Sequence, residues 1–218
     1  MIITIDGPSG VGKSTVSRLV ARKLGFTYLD TGAMYRAVAL QVRRDSVAID
    51  DDKRLESLLN NTEIGFGRKE DGALVILLNN EDVTDKIRTP EVSRLSSDVA
   101  TKRAVRVKLV HLQRRIGKNG DMVAEGRDMG TYVFPDAEFK FYLDASLDER
   151  ARRRREQLAQ SGDIADIDSV KNEIIKRDAQ DMERSESPLH PAVNAVIIDT
   201  TNLSSDEVTD RIIKEVQG

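Results

Sequence analysis

The chain contains no cysteine and no tryptophan among its 218 residues, so it has neither a disulfide framework nor a thiolate metal site. That composition fits a reducing, cytoplasmic setting. Aromatic residues make up only 4% and are scattered, which argues against a stacking platform for single-stranded nucleic acid. No stretch reaches the roughly 18 uninterrupted apolar residues of a membrane span. The opening residues, Met-Ile-Ile-Thr-Ile-Asp, lack the basic flank and long apolar core of a secretory signal. Neither sign of charge dominates: 34 Lys and Arg against 37 Asp and Glu leave −3, so no overall basic field attracts nucleic acid or acidic membranes. His111 and His190 have no partners at ligand spacing and are assigned to structure or surface. What remains is 39% hydrophobic and 33% charged, enough to bury the core of one domain over residues 1–218, with a modest insertion.

Short apolar runs alternate with longer amphipathic stretches, the pattern of a parallel sheet covered by helices. Strands are expected at residues 2–6, 27–29, 122–125, 138–144 and 195–199. Helical periodicity follows at Lys13–Leu24, with Val16, Leu19, Val20 and Leu24 on one face, and at residues 33–44, with Met34, Ala37, Val38 and Val42. This predicts an α/β fold in three layers, a five-stranded parallel sheet with helices on both faces. Residues 62–83 break the rhythm with two β-like pieces around Lys69-Glu-Asp-Gly72, a hairpin signal. Helical stretches follow, with a boundary at Pro90, and residues 61–100 read as a small α+β insertion. Farther on, Glu149-Arg-Ala-Arg-Arg-Arg-Arg-Glu156 leads into a Gly/Asp-containing stretch at 161–168 and another charged helix. Such a run is ordinarily a solvated helix face.

The strongest motif is Gly7, Pro8, Ser9, Gly10, Val11, Gly12, Lys13, Ser14, which matches G-x-x-x-x-G-K-[ST] and is followed by Thr15. By chance a chain of this length matches on the order of 1% of the time, given average glycine usage. The glycines let the backbone curl so that successive N–H groups solvate phosphate oxygens, and the following helix turns its positive end to the same anion. Lys13 can reach the β- and γ-phosphates, and the Ser14 hydroxyl can coordinate Mg²⁺. The motif points to ATP binding and leaves the reaction open.

The acceptor side narrows the choice. Asp30-Thr-Gly-Ala-Met-Tyr-Arg36 follows the second strand, with Thr31 as a helix cap and Arg36 one turn in. Glu125-Gly-Arg127-Asp128 follows the third, at a strand's carboxyl end, where open α/β sheets bind ligands. An Arg–Asp pair there is as often a structural ion pair as a site.

Taken together, the phosphate loop, Leu29-Asp-Thr-Gly-Ala-Met-Tyr-Arg, Ile87-Arg-Thr-Pro-Glu-Val, Glu125-Gly-Arg-Asp-Met-Gly-Thr, Val133-Phe-Pro-Asp-Ala and Lys176-Arg-Asp with Asp181 and Arg184 resemble the bacterial cytidylate kinases, a nucleoside monophosphate kinase family of P-loop fold. The motifs span most of the chain, and Gly-Arg-Asp-Met-Gly-Thr is the most specific of them. The resemblance implies in-line transfer of the γ-phosphoryl group of ATP, with Mg²⁺, to CMP and dCMP, and a monophosphate-binding role for residues 61–100. It assigns Arg36, Arg127 and Arg184 to the acceptor phosphate, with Thr31 beside it. Ser97, Arg106 and Asp128 would read the base, and Asp181 with Arg177 the sugar. Residues 150–180 would form a short helical lid, in which Arg150, Arg153 and Arg154 share a face. Lys13, Arg150 and Arg154 would then meet the transferring group, while Arg152 and Arg155 look elsewhere. A monomer suffices. Two other readings stay open: a P-loop kinase for UMP, AMP or a small metabolite, and an RNA-binding regulatory module using residues 150–155.

Overall fold

The computed structural model describes residues 1–68, 74–160 and 162–218, without the side chains of Arg68 and Leu74. In chain order the elements are β1 (Ile2–Asp6), α1 (Lys13–Leu24), β2 (Thr27–Asp30), α2 (Thr31–Arg44), α3 (Asp52–Asn60), β3 (Ile64–Arg68), β4 (Leu74–Leu78), β5 (Glu81–Asp82), α4 (Pro90–Val99), α5 (Arg103–Gly117), β6 (Met122–Glu125), β7 (Phe139–Asp144), α6 (Leu147–Gln160), α7 (Ile167–Glu183), β8 (Val196–Asp199) and α8 (Ser205–Gln217). A short 3₁₀ turn covers Lys86–Arg88, and a wide helical turn covers Met129–Val133. The expected hairpin turn at Lys69-Glu-Asp-Gly72 lies outside the described residues.

The chain divides into two compact units, Met1–Asp30 with Gly117–Gly218, and Thr31–Ile116. The first is built on the five-stranded sheet in the order β2-β6-β1-β7-β8, all parallel. β1 is the central strand because both its neighbours pair with it along nearly its whole length. Its inward residues Ile3 and Ile5 are fully buried and join Val16, Val20, Val123, Phe141, Leu143, Val208 and Ile212 in one core. Burying each such side chain contributes about 1.5–3 kcal/mol, which is why these short runs become strands despite few residues. Gly25 ends α1 in the left-handed conformation, its N–H bonding back to the last turn. At α8, Ser204 and Glu207 cap each other's backbone N–H groups.

All five parallel strands finish on a carboxylate: Asp6, Asp30, Glu125, Asp144 and Asp199. Where the chain leaves the sheet, backbone N–H groups lose their ladder partners, and short acidic side chains can accept them. Asp144 takes the Ala145 N–H at 2.8 Å, and Asp199 takes the Thr201 N–H and hydroxyl at 2.9 and 2.6 Å.

The second unit holds the three-stranded antiparallel sheet β3-β4-β5 and the helices α2 to α5. Thr89 caps α4 by accepting the Val92 N–H, and Pro90 fills the first helical position, as the boundary at that residue predicts. The unit is wider than the 61–100 segment expected as an insertion, because α2 packs on α4 and on α3. Helix α2 begins at Thr31, so Thr31 stands inside the first turn rather than before it. Among the described residues, no helix is long and apolar enough to cross a membrane.

Candidate active site

The phosphate loop leaves β1 at Asp6 and enters α1 at Lys13. Gly7 has φ 146°, and a Cβ there would lie 2.1 Å from the Leu143 carbonyl oxygen, so no side chain is tolerated as the loop leaves the sheet. Gly12 precedes α1 in the left-handed region and offers no side-chain cap. The helix therefore begins on bare N–H groups, the arrangement that suits an anion. Lys13 is buried and donates to the Pro8 carbonyl at 2.6 Å, closing the loop on itself. Burial, and then the Arg127 guanidinium, hold its ammonium well below the usual lysine range, opposed by Glu125 and Asp181.

Ser14 and Thr15 are exposed at the start of α1. The Glu125 carboxyl accepts the Tyr28 hydroxyl at 2.6 Å, and the Ser14 hydroxyl lies close enough to favour its charged form. Glu125 stands beside Asp30 in the β2–β6 register. Burial, with the Asp30 charge adding to it, pushes the Glu125 carboxyl up to about 7 against the opposing pull of Tyr28, Ser14 and Lys13. Two oxygen groups, one hydroxyl and one carboxyl, thus meet at the mouth of the loop.

Across the end of β1, Asp6 accepts the N–H groups of Met129 and Gly130 at 2.9 and 2.8 Å. Burial raises its carboxyl to about 6, with those two bonds and Lys13 opposing. Asp6 so ties the loop that carries Arg127 and Asp128 to the residue that opens the phosphate loop. Arg127 donates to Asp181 at 2.7 Å, and Arg184 lies 3.5 Å from Asp128 and 3.7 Å from Asp181. Burial works to raise the Asp181 carboxyl. Arg127, with Arg177 and Arg184 behind it, outweighs that and holds it low. Five of the residues assigned to the acceptor, Arg127, Asp128, Arg177, Asp181 and Arg184, therefore share one electrostatic cluster in the first unit.

The arginine run divides by helical period. Arg150 donates to the carbonyls of Ala145 and Ser9 at 3.1 and 3.2 Å and pairs with Asp178. Arg153 donates to the Val11 carbonyl at 3.3 Å and to the Thr200 carbonyl at 2.6 Å. Arg154 bonds Gln157 at 2.9 Å on the same helix, and Arg152 pairs with Glu149 and Glu156 in solvent. Arg150 and Arg153 thus meet the backbone of the phosphate loop, whereas the bond made by Arg154 is to Gln157, although the three arginines were expected to share a face. The grip of Arg153, and the parts of Asp6, Asp178 and Thr200, were not read from the sequence. The one hint was position: Asp6 sits at a strand end, and Asp178 adjoins Arg177.

Thr31, Arg36, Ser97 and Arg106 belong to the second unit. Thr31 and Arg106 are buried, Arg36 and Ser97 half-buried, and Arg106 donates to the Tyr35 hydroxyl at 3.3 Å.

The profile of the family described as cytidylate kinase matches residues 3–218. The chain belongs to the cytidylate kinase family. It is 50% identical over 216 residues to the cytidylate kinase of Syntrophotalea carbinolica, covering 99% of this chain and 92% of that protein. It is 49% identical to that of Pelotomaculum thermopropionicum, covering 99% and 96% of the two chains. The Geobacillus sp. WCH70 relative is 48% identical, covering 98% and 95%. Two solved structures share the fold at low identity. An uncharacterised protein from Eubacterium ventriosum has a TM-score of 0.55 at 15% identity, covering 100% of this chain and 98% of that one. TT1252 from Thermus thermophilus has a TM-score of 0.50 at 20% identity, covering 100% and 96%. For a cytidylate kinase family member, the parallel sheet with a phosphate loop after its central strand is the expected frame.

Proposed function

We propose that this family member transfers the γ-phosphoryl group of ATP to CMP and dCMP, giving CDP and dCDP. The observation that carries the reading is that α7 joins the phosphate loop to the cluster assigned to the acceptor: Asp178 accepts the Ser9 N–H at 3.1 Å, and Asp181, one turn on, pairs with Arg127 at 2.7 Å. Cations that repel one another in a buried site gain from an anion placed among them, and two phosphates meeting there supply it. The family name and the matching relatives support CMP as the acceptor.

Lys13 would meet the β- and γ-phosphates of ATP, with the N–H groups of residues 7–15 around the chain of phosphates. Arg127 and Arg184, joined by Arg36 and Thr31, would hold the acceptor phosphate through forked donors. Asp181 with Arg177 would take the sugar hydroxyls. Ser97, Arg106 and Asp128 would read cytosine, whose exocyclic amino group suits a carboxylate. Uracil carries an oxygen there and would leave buried groups unpaired, costing about 1–3 kcal/mol. The acceptor oxygen is already anionic, so alignment and charge stabilisation carry the reaction rather than a strong base. Residues 150–180 would cover the transferring group and exclude water, with Arg154 meeting that group.

The Ser14 hydroxyl, exposed at the start of α1, suits Mg²⁺, a hard cation that prefers oxygen ligands and keeps much of its water. Among the described residues, no group of three or more acids and histidines could hold a metal by itself, which fits an ion shared with nucleotide phosphates. The Ser14 hydroxyl, together with the nucleotide's own phosphates, would hold the ion, whose positive charge would offset the charge on the phosphate oxygens.

An ADP-release assay with MgATP and CMP, dCMP, UMP, AMP or GMP tests the reading. Rapid turnover with CMP and dCMP, slower with UMP and least with purines, is expected. Preference for another monophosphate would remove the base-reading assignment of Ser97, Arg106 and Asp128.

A further inference from the structure

Four side chains from outside the phosphate loop, Asp178, Arg150, Arg153 and Thr200, grip its backbone. Asp178, on α7, accepts the Ser9 N–H on one oxygen at 3.1 Å and pairs with Arg150 through the other. Arg150 donates to the Ser9 carbonyl in turn, so one ion pair holds both backbone groups of a single loop residue. The pair is nearly dry, with the two side chains 12% and 9% exposed. A Cβ on Gly10 would sit 3.0 Å from the Arg150 Cβ and 3.1 Å from its backbone oxygen, so α6 is seated on the loop and not merely reaching toward it. Two residues farther on, Arg153 donates to the Val11 carbonyl at 3.3 Å, and the Thr200 hydroxyl lies between that carbonyl and the one of Asp144, at 3.2 and 3.0 Å.

We propose that Asp178 is a positioning residue of the nucleotide-donor site, which acts through Arg150 and Ser9 to fix the curl of the phosphate loop. A loop of glycines has many conformations, and phosphate binding requires one of them. The grip on Ser9 and Val11 lets residues 7–15 receive phosphates without first being ordered by them. Asp178 also lies one turn before Asp181, the partner of Arg127, so a single face of α7 fastens the donor loop and the arginine assigned to the acceptor. Arg150 accordingly belongs to the loop's support, where the resemblance had assigned it to the transferring group.

The inference rests on the reading of the phosphate loop as an ATP site, and the test separates the two. Calorimetric titration of MgADP, and separately of CMP, is made on the full chain and on Asp178→Asn, Arg150→Met and the double variant. Each single change should weaken ADP binding about 10-fold, the scale expected when a binding group loses its supporting shell. CMP affinity should change less than about twofold, a split that general loosening of the fold would not give. The double variant should lose no more than either single change, because both act through one pair. It also leaves no uncompensated buried charge, so it folds even where a single variant does not. Unchanged ADP affinity in the folded variants, or equal losses for ADP and CMP, would overturn the inference alone. Failure of all three variants to fold would overturn it as well, making the pair a folding element. A wild-type chain that binds no ADP would overturn the inference together with the loop's assignment.

Discussion

Helix α6 presents the same residue type to two surroundings. On one side Arg150 and Arg153 lie against the phosphate loop, engaged with backbone carbonyls and with Asp178. On the other, Arg152 is half exposed and pairs with Glu149 and Glu156 on its own helix. By distance alone the outer pairs look as good as the inner one. Their consequences differ, because water and salt screen the outer charges and the inner pair has little solvent to replace a lost partner. The glutamates make the same point: Arg152 and Arg153 hold Glu149 down to about 2, whereas burial pushes Glu125 up to about 7.

Breaking the inner side should have the larger effect. Arg150→Met strands a buried carboxylate at Asp178 and should lower stability by about 3 kcal/mol in urea unfolding. A smaller value would mean that water reaches the pair. Next in size is Glu125, whose folded carboxyl titrates above its ordinary 4.5. Because the folded state holds its proton to higher pH than the unfolded state, this group costs stability as pH rises between about 4.5 and 7. Glu125→Gln should therefore gain on the wild type across that window, by up to about 3 kcal/mol at pH 7. A difference between the two that stays flat with pH would contradict the burial argument. Smallest is Arg152→Ala, which should leave the melting temperature unchanged and ADP affinity intact. A clear loss there would erase the distinction between the two sides of α6.

Much of this frame was legible in the sequence, and the reasons are local. β1 and β6 match their apolar runs residue for residue, since each ends where glycine admits a turn. β2, β7 and β8 differ from expectation by one residue at an end. The phosphate loop was legible because its chemistry demands contiguous residues. The width of the second unit was not, since the pattern of α2 matches that of a crossover helix and only packing shows its company with α3 and α4. Nor was the task of Arg150. A helical period says which arginines share a face, but not that the face meets Ser9, Gly10 and Val11 from far along the chain. Asp178 and Asp6 were hidden for the same reason, as carboxylates whose partners are backbone groups about 120 or more residues away in sequence.

The measurement that tests the central claim most directly is CDP formation from CMP and MgATP by the wild-type chain and by Lys13→Ala, each checked for folding by circular dichroism. Wild-type CDP formation, with turnover lowered about 1,000-fold in a folded Lys13→Ala variant, is the result expected when charge stabilisation at the phosphates is removed. No CDP from the wild type, or a variant that turns over at nearly the wild-type rate, would contradict the account.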